Sequence, residues 1–126
     1  MTATIGWAYV SKGTKRLVRE MEALIEVAED VRKVLQRYKT GSTKLAARVD
    51  LGELLADALK AESGPMRRRE VSDALAELEA ARHRVRLAMF ALGEEQGTSA
   101  SELGRQLAIS RQLSSRLAAE AREILG

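Results

Sequence analysis

The chain contains no cysteine and has only one proline, one histidine and 3% aromatic residues among its 126 positions. Without cysteine there is no disulfide, no thiolate nucleophile and no zinc finger. A lone histidine, without a glycine-rich phosphate loop or metal-ligand spacing, gives no indication of an enzyme, a cofactor or a metal. No stretch approaches the roughly 18 apolar residues of a membrane span, and no signal-peptide pattern is present. We therefore expect a soluble, cytoplasmic (nucleoid-associated) protein without membrane contact.

What the chain does contain is typical of helices. Hydrophobic residues make up 45% of it and charged residues 31%, with alanine, leucine, arginine and glutamate in the majority. These are good helix formers, so we predict an all-α protein. The net charge is only +3, so any affinity for nucleic acid has to come from a local basic patch.

A long helix is predicted over residues 15–39, with Thr14 as its N-cap and Gly41 at its end. Apolar residues recur along it at spacings of three and four. They are Leu17, Met21, Leu24, Ala28, Val31, Leu35 and Tyr38. Further apolar residues widen this stripe on both sides, which favours a multi-helix bundle over a two-stranded coiled coil.

Two more helices follow from the same kind of pattern. The first is predicted over 44–62 with Gly52 in its middle, and Ser63-Gly64-Pro65 marks a break after it. The next is predicted over 66–93. Its expected core row is Val71, Leu75, Leu78, Val85, Met89 and Leu92.

The last third of the chain reads as two short helices around a tight turn. Ser99 and Glu102 have capping-box spacing, so a helix is predicted to begin at about Ala100. The run 108–110 breaks that helix, and Ser110 is a suitable N-cap for the next. Apolar residues at 113 and 117 continue the packed face of the second helix, whose other face begins with Arg111.

The segment 100–119 resembles the helix-turn-helix motif of bacterial transcription regulators, particularly those whose turn ends in Ile-Ser-Arg-Gln, here residues 109–112. In that motif the first helix crosses the DNA backbone and the second lies in the major groove. The resemblance implies one set of residues that packs the helices together: Leu103, Leu107, Ile109 and Leu117. It implies a second set that faces DNA: Ser110, Arg111, Gln112, Ser115 and Arg116. The sequence departs from the motif's usual residues at Gly104, Ala108 and Ser114.

Further basic residues are candidates for contacts with DNA phosphates, which position a protein without reading sequence. Arg122 shares the exposed face of the second helix, and Arg105 belongs to the first. Arg84 and Arg86 form a basic cluster earlier in the chain. The stretch 67–69, three consecutive arginines in a first helical turn, could equally bind an anion or be a solvated basic turn.

These observations predict three regions: an N-terminal arm over 1–13, a helical dimerisation region over 14–86 and a helix-turn-helix DNA-binding unit over 87–126. The arm carries Ile5, Trp7 and Tyr9, which we expect to dock on the helices or on a second subunit. The predicted function is sequence-specific binding of double-stranded DNA by a homodimeric transcription regulator. One alternative is a protein-interaction module, an adaptor or an antitoxin-like protein, that docks a partner through the N-terminal helices. Another is an architectural DNA-binding protein without base preference.

Overall fold

A computed structural model describes residues 10–126 and shows helices throughout, with no strand in that range. The helices are α1 (Lys12–Asp50), α2 (Leu55–Ala61), α3 (Gly64–Glu95), α4 (Ala100–Gln106) and α5 (Arg111–Leu125). The predicted all-α fold is therefore confirmed. None of these helices is long and apolar enough to cross a membrane. The proposed Ile5-Trp7-Tyr9 arm lies outside the described residues.

The chain forms two compact units, and α1 and α3 each contribute to both. The described part of the first unit comprises residues 10–24 and 81–126, and the second unit comprises 25–80. Helices α4 and α5 belong to the first unit and α2 to the second. The functional division of the chain at residues 13 and 86 stays a prediction.

The ends of α1 differ from the sequence prediction. Its N-cap is Ser11, whose hydroxyl accepts a hydrogen bond from the Thr14 amide at 3.1 Å, so the assignment of the cap to Thr14 was wrong. The prediction that α1 ends at Gly41 was also wrong, because the helix continues to Asp50. Gly52 then adopts a φ of 92° and closes the helix. The helix predicted over 44–62 is consequently divided between the end of α1 and α2.

Gly41 has a packing role instead. It is buried, and a Cβ atom there would lie 2.7 Å from Nε of Arg67 on α3. The Arg67 guanidinium donates to the backbone carbonyls of Arg37, at 3.1 Å, and of Glu62, at 2.8 Å. Arg67 therefore joins α1, α3 and the residue that follows α2, which accounts for one of the three consecutive arginines by a structural role.

Within each unit α1 and α3 run side by side in opposite directions. In the second unit Arg37 on α1 pairs with Glu70 on α3 at 3.0 Å. In the first unit Glu20 and Arg84 approach to 3.6 Å. These contacts fix which residues of the two helices lie at the same level.

The packed seam between α1 and α3 is rotated from the predicted core row. Its buried residues are Val31 on α1 and Ala74, Ala81, Val85 and Ala88 on α3. Alanines at these positions leave room for the backbone of a neighbouring helix to come close. The prediction that Met21, Leu35 and Leu75 belong to the core was wrong, because all three side chains are exposed.

Candidate nucleic-acid interface

The C-terminal helices are held by an apolar cluster in the first unit. Its buried members are Leu87 and Phe90 from α3 and Leu117 and Ala121 from α5. Around them pack partly buried apolar residues, including Leu103, Leu107, Ile109 and Leu113. The four residues expected to pack the helix pair together all belong to this cluster. Burial of that much apolar surface fixes α5 against α3 and α4.

Helices α4 and α5 come closest at Gly104 and Ser114. Ser114 is only 1% exposed, and its hydroxyl donates to the Ser110 carbonyl at 2.8 Å. A Cβ atom at position 104 would lie 1.9 Å from Oγ of Ser114 and 2.9 Å from its Cβ. The absence of a side chain at Gly104 is therefore required for this approach.

Both short helices begin where the sequence predicts. The Ser99 hydroxyl accepts from the Glu102 amide at 3.0 Å, and the Ser110 hydroxyl accepts from the Leu113 amide at 3.0 Å. Each hydroxyl satisfies a backbone donor that lacks a partner within its helix. The predicted caps at Ser99 and Ser110 are thus confirmed, and α5 begins at Arg111.

The turn between the helices passes through Ala108, whose φ of 56° lies in the left-handed region. The Ile109 amide donates to the Gly104 carbonyl at 3.0 Å, and the Ala108 amide donates to the Arg105 carbonyl at 3.2 Å. These two bonds are those of a Schellman motif, which satisfies the last carbonyls of α4. The motif sets the direction in which the chain enters α5.

The first two turns of α5 present a polar, acid-free surface. Arg111, Gln112, Ser115 and Arg116 are all exposed on it, and we call these four residues the α5 polar face. The first turn contains no acidic residue. Within residues 10–126, neither Arg111 nor Arg116 forms an ion pair. Five predicted DNA-facing residues therefore lie together, since Ser110 caps the same helix end.

The remaining predicted site residues are placed differently. Arg105 pairs with Glu102, and Arg122 pairs with Glu94 at 2.6 Å. Arg84 lies beside Glu20 in the ion pair described above. Arg86 lines a hollow of about 250 Å³ beside the turn, together with Leu107 and Ile109. Arg84, Arg105 and Arg122 thus each have a carboxylate partner, which the arginines of the α5 polar face lack among the described residues.

The Glu102 carboxylate has two local partners on α4. Gln106 donates to its carboxylate at 3.1 Å, and Arg105 donates to the other oxygen. These hydrogen bonds lower the pKa of the Glu102 carboxyl below its ordinary value. The bond from Gln106 is the largest cause and the bond from Arg105 is the next. The ionised form of Glu102 therefore holds the two side chains along the exposed surface of α4.

Sequence reasoning missed two features of this region. His83 on α3 lies 2.8 Å, Nε2 to Oε2, from Glu120 on α5, and so positions the second half of that helix. No local pattern indicates this contact, because the residues are 37 positions apart. Ala119 is exposed and follows the α5 polar face by one turn, which its helical spacing could have revealed.

No cluster of three or more metal-ligating side chains exists within residues 10–126. No protein-family model, curated protein or solved structure matches this chain.

Proposed function

We propose that the protein is a sequence-specific DNA-binding transcription regulator that inserts α5 into the major groove as the recognition helix of a helix-turn-helix. The observation that carries the proposal is the α5 polar face. It combines two cations without ion-pair partners among the described residues with an amide and a hydroxyl at the exposed start of a helix.

The position of these cations is informative. The N-terminus of a helix carries a partial positive charge, so arginines there lower the stability of the isolated helix. Backbone amides and arginines at such an end are well suited to the phosphates that flank the groove. Arg116 and the Ser115 hydroxyl would contact phosphates from the same surface.

Base reading is assigned to the first two residues of α5. The guanidinium of Arg111 can donate twice to the O6 and N7 atoms of guanine, and the amide of Gln112 matches N6 and N7 of adenine. The small side chain of Ala119 lets the helix lie close to the base edges. Because α4 and α5 pack in close contact at Gly104 and Ser114, the side chains of Arg111 and Gln112 start from a fixed backbone orientation.

A single helix pair buries little surface, and specific recognition by such proteins commonly uses two copies on two half-sites. We therefore propose a homodimer whose recognition helices are spaced by one turn of DNA, roughly 34 Å.

The proposal is tested by fluorescence anisotropy with a labelled duplex pool and three single variants. Arg111→Ala and Arg116→Ala should each weaken binding, by about 1–3 kcal/mol if the arginine makes a bidentate contact. Arg32→Ala is the matched control, because it removes the same charge from an exposed position paired with Glu29. Equal weakening by all three variants would show that only net charge matters and would contradict the proposal.

A further inference from the structure

A groove of about 710 Å³ opens in the second unit between α1, α3 and the end of α2. Its lining residues on α1 are Tyr38, Gly41, Ser42 and Leu45, and those on α3 include Pro65, Arg68, Arg69 and Ser72. Both sets follow the spacing i, i+3, i+4, i+7, which places each set on one face of its helix. The volume of the groove is within the range of about 300–1,000 Å³ that is typical of small-molecule sites.

The groove is open because side chains along it are small. Gly41 has no side chain, and the place of a Cβ atom there is occupied by the Arg67 guanidinium. Ser42 and Ser72 are short and exposed, and their hydroxyls have no hydrogen-bond partner within residues 10–126. The groove therefore offers space and polar groups that the packing of the helices does not use.

The charge along the groove is positive. Within the described part of the chain, neither Arg68 nor Arg69 forms a side-chain hydrogen bond or an ion pair. Arg67 donates to two backbone carbonyls, which leave its positive charge without a carboxylate partner. Glu62 is the only acid among the described lining residues, and its carboxylate is bound by Arg48 at 2.7 Å. Three cations thus line the groove without a carboxylate to balance them.

The packing of the fold explains Arg67 but not its two neighbours. Arg68 and Arg69 are exposed at the start of α3, where the backbone dipole disfavours positive charge and no acidic residue compensates in the first turn. Their adjacent guanidinium groups also repel each other. An anion bound between them would relieve both unfavourable interactions.

The remaining lining is largely apolar. Leu45 on α1 and Leu59 on α2 are half-buried, and the Tyr38 ring and Pro65 also line the groove. An inorganic anion would leave this apolar surface in contact with water. An anion that carries an apolar ring or chain would cover it, and removal of apolar surface from water favours binding.

We infer that this groove is a binding site for a small organic anion with an apolar body. Arg68 and Arg69 hold the charged group by charge-assisted hydrogen bonds. The apolar body lies against Leu45 and Leu59. Unpaired cations beside an apolar wall select this class of ligand over both an inorganic anion and a neutral molecule. The site shares no residue with the proposed DNA contacts, because α5 belongs to the first unit.

The first test titrates the full chain with anilinonaphthalene sulfonate, a fluorescent organic anion with an aromatic body. The neutral probe N-phenylnaphthylamine has the same rings without the sulfonate and is the matched control ligand. We expect one sulfonate probe to bind per chain and the neutral probe to bind at least about tenfold more weakly. Decanoate should displace the sulfonate probe, whereas inorganic phosphate at the same concentration should not.

The second test removes the cations. Arg68→Gln with Arg69→Gln should weaken binding of the sulfonate probe at least about tenfold and leave binding of the neutral probe unchanged. Lys33→Gln with Lys44→Gln is the matched control, since it removes two positive charges from exposed positions of α1 that do not line the groove. Urea unfolding should show that both double variants keep the stability of the parent chain.

The third test fills the groove without changing its charge. Ser42→Trp places a large side chain on the α1 face of the groove and should weaken binding of both probes. Gln36→Trp is the control, because position 36 is exposed on α1 outside the groove. If the probe merely associated with exposed arginines, Ser42→Trp would bind it as well as the parent chain does.

Four results would each overturn the inference: no binding of the sulfonate probe, displacement by phosphate as effective as by decanoate, equal weakening by the arginine and lysine pairs, or unchanged binding by Ser42→Trp. No DNA is present in these titrations. Their outcome is therefore separate from that of the Arg111 and Arg116 variants, which test the proposed DNA contacts.

Discussion

Replacing Gly104 by alanine tests whether close packing of α4 on α5 sets the geometry of the site. The added Cβ would lie 1.9 Å from Oγ of Ser114 and 2.9 Å from its Cβ. Rotating the hydroxyl away would break its bond to Ser110, and the second overlap would remain because it involves a Cβ that cannot rotate. The helices therefore have to separate.

The expected magnitude combines three opposing effects. Overpacking a tight contact costs about 1–3 kcal/mol. Loss of the buried Ser114 hydrogen bond adds about 1 kcal/mol. Replacing glycine by alanine inside a helix stabilises the helix by about 1 kcal/mol. We therefore expect Gly104→Ala to lower the free energy of unfolding by about 2 kcal/mol, whereas propensity alone would raise it.

Urea unfolding followed by circular dichroism measures this loss as a fall in the midpoint of about 1 M. Gly13→Ala is a control for the substitution itself, because the nearest obstacle there is the flexible end of Glu95. Ser114→Gly removes the opposing Cβ, so the double variant with Gly104→Ala should lose less stability than the two single losses added together. A neutral or stabilising Gly104→Ala, or strict additivity in the cycle, would refute the packing argument.

Three further predictions concern single positions. Ala108→Gly should stabilise the protein by about 1 kcal/mol in urea unfolding, because the left-handed φ of 56° is strained for alanine; a loss of stability would contradict this. Gln106→Ala should raise the pKa of Glu102 towards its ordinary value in a carboxyl titration by NMR, and an unchanged pKa would exclude the hydrogen bond as its main cause. In the parent chain the lowered pKa means that the stability from ionised Glu102 is present above the unfolded pKa and is lost as the pH falls through the folded pKa. Arg67→Ala should lower the free energy of unfolding by about 2–3 kcal/mol, because it removes two hydrogen bonds from a charged group to backbone carbonyls. A change smaller than the error of urea unfolding would show that those bonds are not stabilising.

The sequence was most informative where structure depends on neighbouring residues. Ser99 and Ser110 could be identified as caps because the amides they accept from lie only three positions further along the chain. The exposed start of α5 followed from the same local pattern, and so did the polar character of its first turns.

The failures occurred where the deciding contact is distant in sequence. Gly41 and Gly52 look alike as helix breakers, but only Gly52 takes a positive φ, while Gly41 stays helical beneath Arg67. The rotation of the seam had a similar cause: small residues such as Ala74 form it, so the larger Leu75 is left on the outer flank. Hydrophobicity alone favours the larger side chain as core, whereas close helix approach favours the smaller one.

The most direct test of the central claim is selection of the purified protein against random DNA duplexes at physiological salt, repeated with Arg111→Ala. The account predicts an enriched inverted repeat with half-sites about one helical turn apart. It further predicts that the variant loses preference at one base pair of each half-site while the other positions are kept. Retention without any enriched sequence, or an identical motif for the variant, would contradict the assignment of base reading to α5.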